Sequence, residues 1–125
     1  MPPEFAITEQ GSQAGHHVIA VRGEIDLFTA PELKQALTDA IEGGQHRVVI
    51  DLTEVSFLDS TALGVLIGAV KRLRSRGGAL AIVNTDTSIA KTFEITGLDQ
   101  IFTIVPSREE ALAALDDSIE GDDAA

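Results

Sequence analysis

At 125 residues the chain has the length of one domain, enough to bury roughly two-thirds of its unfolded surface. A net charge of −11 argues against nucleic acid as a partner, since holding a phosphate backbone wants a positive surface. The absence of Cys excludes a disulfide framework and thiolate metal sites, and it fits a reducing, cytoplasmic setting. With neither Trp nor Tyr, the expected core is Leu, Ile, Val and Ala with five Phe.

The opening MPPEFAITEQ has no basic stretch followed by an apolar run, so no signal peptide is read there. Glu4 to Thr8 reads as a short strand, and Gly11 to Gly15 as a hairpin loop leading to a second strand, His17 to Arg22. Thr29-Ala30-Pro31-Glu32 fits a reciprocal cap in which Thr29 and Glu32 satisfy each other's backbone N–H. Leu33, Ala36, Leu37, Ala40 and Ile41 follow at helical spacing, and Gly43-Gly44 ends the helix.

Arg47 to Leu52 is unbroken and apolar at its centre, as expected of a strand covered on both faces. A loop is expected from Thr53 to Asp59, then a helix from Ser60 to Arg76 whose first half is apolar all round. Its longest apolar stretch, Thr61 to Val70, falls short of the ~18 residues a membrane span needs. Lys71, Arg72, Arg74 and Arg76 suit the negative end of that helix dipole and read as a solvated helix end.

Ala79 to Asn84 is a further buried strand, Asp86 to Thr96 a short helix, and Ile101 to Val105 the last strand. Ser107-Arg108-Glu109-Glu110 caps a final helix through Leu115. The order β, β, α, β, α, β, α, β, α predicts a single α/β domain: a mixed, mostly parallel sheet with an N-terminal hairpin edge and about four helices. This domain covers residues 1–115; residues 116–125, with Asp116, Asp117, Glu120, Asp122 and Asp123, read as a solvated acidic tail.

The chemistry concentrates at Asp59-Ser60. Asp59 is a good N-cap, and Ser60 is expected to point outward from the positive end of a helix, where a phosphate finds free N–H groups. Adding one there changes the surface by about −1.5 to −2 charges and leaves the fold intact. A simple cap is the plainer reading of Asp-Ser-Thr before an apolar run.

The segment from Val55 through Gly64, VSFLDSTALG, closely resembles the phosphorylation segment of bacterial anti-sigma factor antagonists, the STAS domain family. Gly23-Glu24-Ile25-Asp26 is similar to that family's G-E-hydrophobic-D motif, and Gly97-Leu98 to its late G-L turn. The resemblance runs from about Phe5 to Leu115 in the right order and spacing. It implies a protein that, unphosphorylated, binds an anti-sigma factor that is also a serine kinase and so frees a sigma factor. It implies Ser60 as the phosphorylated residue, a serine phosphatase as resetting partner, and Asp26, Asp59 and Thr61 at the partner surface. Ala62 stands where the family often has Gly, which stiffens the helix start.

The resemblance also leaves open use as a scaffold subunit in a stress-signalling assembly. A large assembly on gel filtration would mark that use, against a monomer or weak homo-oligomer for an antagonist.

No enzyme is expected. Ser60 lacks a G-x-S-x-G setting, and His16, His17 and His46 read as solvated residues in or beside early loops, with no third metal ligand nearby. Asp51 lies near the end of a central strand, yet no Lys follows the last strand, as a phosphoaspartate receiver requires; it reads as an anchor for the loop leading to Asp59. No G-x-G-x-x-G or Walker pattern calls for a cofactor, and none is expected.

Overall fold

Hydrophobic alternation decides the layers. In the computed structural model, which describes residues 4–12 and 14–124 with side chains up to residue 117, the strands are β1 (Ala6–Gly11), β2 (His16–Ile25), β3 (Arg47–Leu58), β4 (Ala79–Val83) and β5 (Thr103–Val105). They form one sheet in chain order, with β1 antiparallel to β2 and every other pair parallel. The helices are α1 (Ala30–Glu42), α2 (Ser60–Ser75), α3 (Thr87–Ile95) and α4 (Arg108–Ala124). Ile19, Val21, Val48, Ile50, Leu52, Leu80 and Ile82 share one face and pack with α1, α2 and α3. The intervening Val18, Val49, Ala81 and Val83 face the other way and pack against Ala111 and Leu115 of α4. Side chains alternate along a strand, so a run such as RVVIDL fills both layers at once.

Several expectations need correction. The segment expected to be a loop from Thr53 is strand. Beyond Asp51 and Arg22 the sheet narrows to a two-stranded parallel arm, in which Gly23 to Ile25 pair with Val55 to Leu58. Two register shifts fall where this arm begins, and Gly23 sits there at φ +93°, a conformation open to Gly and strained for other residues.

The reciprocal cap on α1 does not form. Thr29 is already helical in its backbone and its side chain caps nothing on α1. A competing turn explains this: the Asp26 carboxylate accepts the N–H of Phe28 (2.9 Å) and of Thr29 (3.1 Å), and the Asp26 carbonyl accepts from Ala30 (2.8 Å). The later cap forms in part, with Ser107 Oγ accepting from the Glu110 N–H at 3.2 Å.

Asp116, the first residue assigned to the tail, is tied back to the domain. The α4 backbone continues past Leu115, and Asp116 Oδ1 lies 2.7 Å from Nε2 of a buried His16. The expectation for Glu120, Asp122 and Asp123 falls outside the described side chains. β2 begins one residue earlier than expected, so His16 is strand as well as His17; His16 is buried rather than solvated, and the half-buried His17 pairs with Glu9 at 2.8 Å. The basic end of α2 staples the fold: Arg72 donates to Thr38 Oγ1 (3.1 Å), Arg74 to the Ile101 carbonyl (2.8 Å), and Arg76 to Glu42 (2.9 Å). Of the Phe residues assigned to the core, Phe93 and Phe102 meet edge to face at 5.7 Å, whereas Phe28 and Phe57 are exposed. No helix among the described residues is long and apolar enough to cross a membrane.

Candidate functional site

The arm ends where α2 begins. The backbone N–H of Asp59 donates to the Ile25 carbonyl at 3.1 Å, which fixes the end of β3 against the end of β2. Asp59, in extended conformation, caps α2 by accepting the Ala62 N–H on Oδ1 at 3.1 Å, while its carbonyl takes the Leu63 N–H. The N–H groups of Ser60 and Thr61 lie in the first turn, where an α-helix supplies no acceptor. Ser60 is the first residue of α2; it is exposed, and its hydroxyl bonds to no other described residue. Thr61 is half-buried. Ala62 is fully buried, so the methyl group at this position points into the core and away from the open surface around Ser60.

Asp26 follows the strand residue paired with Leu58, which sets its turn beside Asp59. The N–H of Thr29 beside Asp26 holds its carboxyl below the usual carboxylate range, helped by the N–H of Phe28 and the Thr29 hydroxyl. The carboxylate is therefore ionised at neutral pH. Asp26 thus organises the turn before α1 as well as facing solvent, a structural duty that its sequence motif did not reveal.

Sequence reasoning missed the apolar rim. Leu27 is 64% and Phe28 87% exposed on the Asp26 turn, and Phe57 is 49% exposed on the arm, two residues before Asp59. Large apolar side chains left bare together mark surfaces that something else covers. The available signal was position: Leu27-Phe28 falls between a strand and a helix, and Phe57 alternates with the buried Leu58.

Other candidates lie elsewhere. His16 pairs with Arg47 at the start of β3, whereas Ser60 follows its end, so no Ser60–His dyad forms. Asp51 is buried and bonded to Arg108 Nε (2.7 Å) and to the Thr53 N–H (3.0 Å). Burial pushes its carboxyl up, but the Thr53 N–H and the Arg108 guanidinium outweigh that and hold it below the usual range. It clasps α4 to β3 rather than anchoring a loop. Among the described residues no group of three His, Asp or Glu side chains is placed to hold a metal.

Residues 9–111 match the STAS domain family. The chain belongs to that family. Among STAS proteins, the anti-sigma-B factor antagonist of Listeria monocytogenes is 48% identical over 91 residues, which cover 71% of this chain and 78% of the relative. The anti-sigma-B factor antagonist of Staphylococcus aureus is 34% identical over 96 residues, covering 77% of this chain and 89% of the relative. The crystal structure of an anti-sigma factor antagonist from Mycobacterium paratuberculosis superposes with a TM-score of 0.84 at 31% identity, over 91% of this chain and 96% of that one. The sheet order and the arm into α2 are thus read as one variant of the STAS fold, with Ser60 at its exposed helix mouth.

Proposed function

We propose that this STAS domain is an anti-sigma factor antagonist switched by phosphorylation of Ser60. In the unmodified form the apolar rim of Leu27, Phe28 and Phe57, with Asp26, Asp59 and Thr61, binds an anti-sigma factor that is also a serine kinase. That binding releases the sigma factor. The kinase then transfers the γ-phosphoryl group of ATP to Ser60 Oγ, whose proton leaves to a base on the kinase, and ADP is the other product. A serine phosphatase hydrolyses the phosphoserine and resets the switch.

The observation that carries this reading is the Ser60 hydroxyl: exposed, without a bonded partner among the described residues, and held at the first turn of α2, where the end of β2 meets the end of β3. Such a hydroxyl is reachable by a kinase without unfolding anything. After transfer, a group carrying about −1.5 to −2 charges stands at the interface, against any carboxylate that the partner places there. Each like-charge pair at about 4 Å repels by roughly 4 kcal/mol at an effective dielectric of ~20. One such pair weakens binding about a thousandfold. No rearrangement of the domain is needed.

The test purifies each anti-sigma factor kinase of the source organism and titrates it with the unmodified chain, then adds ATP. Capture of a kinase, followed by release with one phosphate on Ser60 by mass spectrometry, is the expected result. Phosphate on Ser56 or Thr61 instead would overturn the Ser60 assignment, and binding to none of the kinases would overturn the function.

A further inference from the structure

Helices α1 and α2 do not close against each other along their outer edge. Between them runs a groove of about 530 Å³, lined by Ala30, Pro31 and Lys34 of α1 and by Thr61, Gly64, Val65, Gly68 and Arg72 of α2. Its upper end opens at Thr61, next to Ser60. Near its lower end Arg72 reaches across to Thr38 at 3.1 Å. From Thr61 to Arg72 the groove follows α2 for roughly 16 Å, or three turns.

Two observations say what it accepts. A Cβ built on Gly64 or on Gly68 meets nothing within 4 Å. Packing within the domain therefore does not require glycine at either place, although glycine inside a helix is less favourable than alanine. The two positions keep the floor low, so that an incoming backbone can approach α2 closely. The walls supply the charge. On a chain of net charge −11, neither Lys34 nor Arg72 forms an ion pair among the described residues. An apolar trough edged by two unpaired cations complements an amphipathic segment with small apolar residues on one face and carboxylates beside it.

We propose that this groove docks an amphipathic helix of the anti-sigma partner, with Asp or Glu side chains of that helix meeting Lys34 and Arg72. This rests on the function proposed above, because a kinase seated over Ser60 already covers Thr61, the mouth of the groove. The docking helix extends that contact away from the reacting hydroxyl and gives the partner a hold on the domain that phosphate does not touch.

The experiment takes the anti-sigma factor kinase that binds the wild-type chain and measures its affinity by calorimetry for Gly68→Ala, Gly68→Leu and Lys34→Glu. The expected result is a loss of severalfold for Gly68→Ala, with a melting temperature at or above wild type, and a loss of tenfold or more for Gly68→Leu and for Lys34→Glu. Gly68→Ala keeps the test sound should the larger side chain disturb the fold. Wild-type affinity in all three variants would overturn the groove while leaving the Ser60 switch standing. Binding of no kinase by the wild-type chain would overturn both. A wild-type dimer that Gly68→Leu dissociates would assign the groove to a second copy and overturn the partner helix.

Discussion

Helix α4 and the β2–β3 arm treat their polar groups in opposite ways. The described part of α4 is clasped at two points, Arg108 to Asp51 and Asp116 to His16, each at 2.7 Å. Both clasps join residues far apart in the chain, and each has one buried member. The arm leads into a serine with no bonded partner among the described residues, and three apolar side chains on it or on the turn that follows β2 are bare. Where side chains are used up within the fold, substitutions should change stability; where they are left unused, substitutions should change binding.

The largest expected effect tests the arm. Phosphorylation of Ser60 should lower affinity for the anti-sigma kinase about a thousandfold, or roughly 4 kcal/mol. Ser60→Asp should lose less, Ser60→Ala should bind without release by ATP, and all three should melt near wild type. Equal affinities by calorimetry would remove the electrostatic switch.

The clasps come next. Asp51→Asn should cost about 1–2 kcal/mol of stability at pH 7, below the figure for a fully buried pair because Arg108 is partly exposed. Binding should be unchanged. The folded carboxyl lies below its ordinary value of 3.8, so its stabilisation is full above that pH and is lost as pH falls through the lower folded value. Urea melts should therefore show the wild-type advantage over Asp51→Asn shrinking below about pH 3.8. An advantage that grows in acid would contradict the clasp.

Asp116→Ala removes the acceptor of the His16 ring and should cost about 1 kcal/mol, again without effect on binding. A loss of partner affinity in this variant would place α4 in the interface. Among the residues that bond within the fold, the smallest loss of stability is expected for Asp26→Ala. It loosens the turn before α1, so a modest drop should accompany weaker binding, and unchanged binding would make Asp26 purely structural.

Much of this was legible in the chain. RVVIDL announced a doubly covered strand because both faces of it are apolar, and Asp59 announced the start of α2 because its carboxylate caps an N–H three residues on. The arm was not legible. Glu24 and Glu54 look like loop, yet they pair as strand because neighbouring backbone, rather than burial, satisfies them. Thr29 misled because Asp26, three residues earlier, took the N–H groups of the turn first. The His16–Asp116 contact spans 100 residues, a distance no local pattern reports. Phe28 was assigned to the core on hydrophobicity alone, and only its place on a turn distinguishes it from Phe93.

The two borders of the sheet set limits on how such molecules can associate. β5 is three residues long, and β1 carries exposed polar Glu9 and Gln10. Neither offers a neighbouring chain a long flat ribbon of free amides to join. Crowding many copies into one complex should therefore proceed without strand addition, through helices and loops, and should stay reversible rather than drift toward fibres.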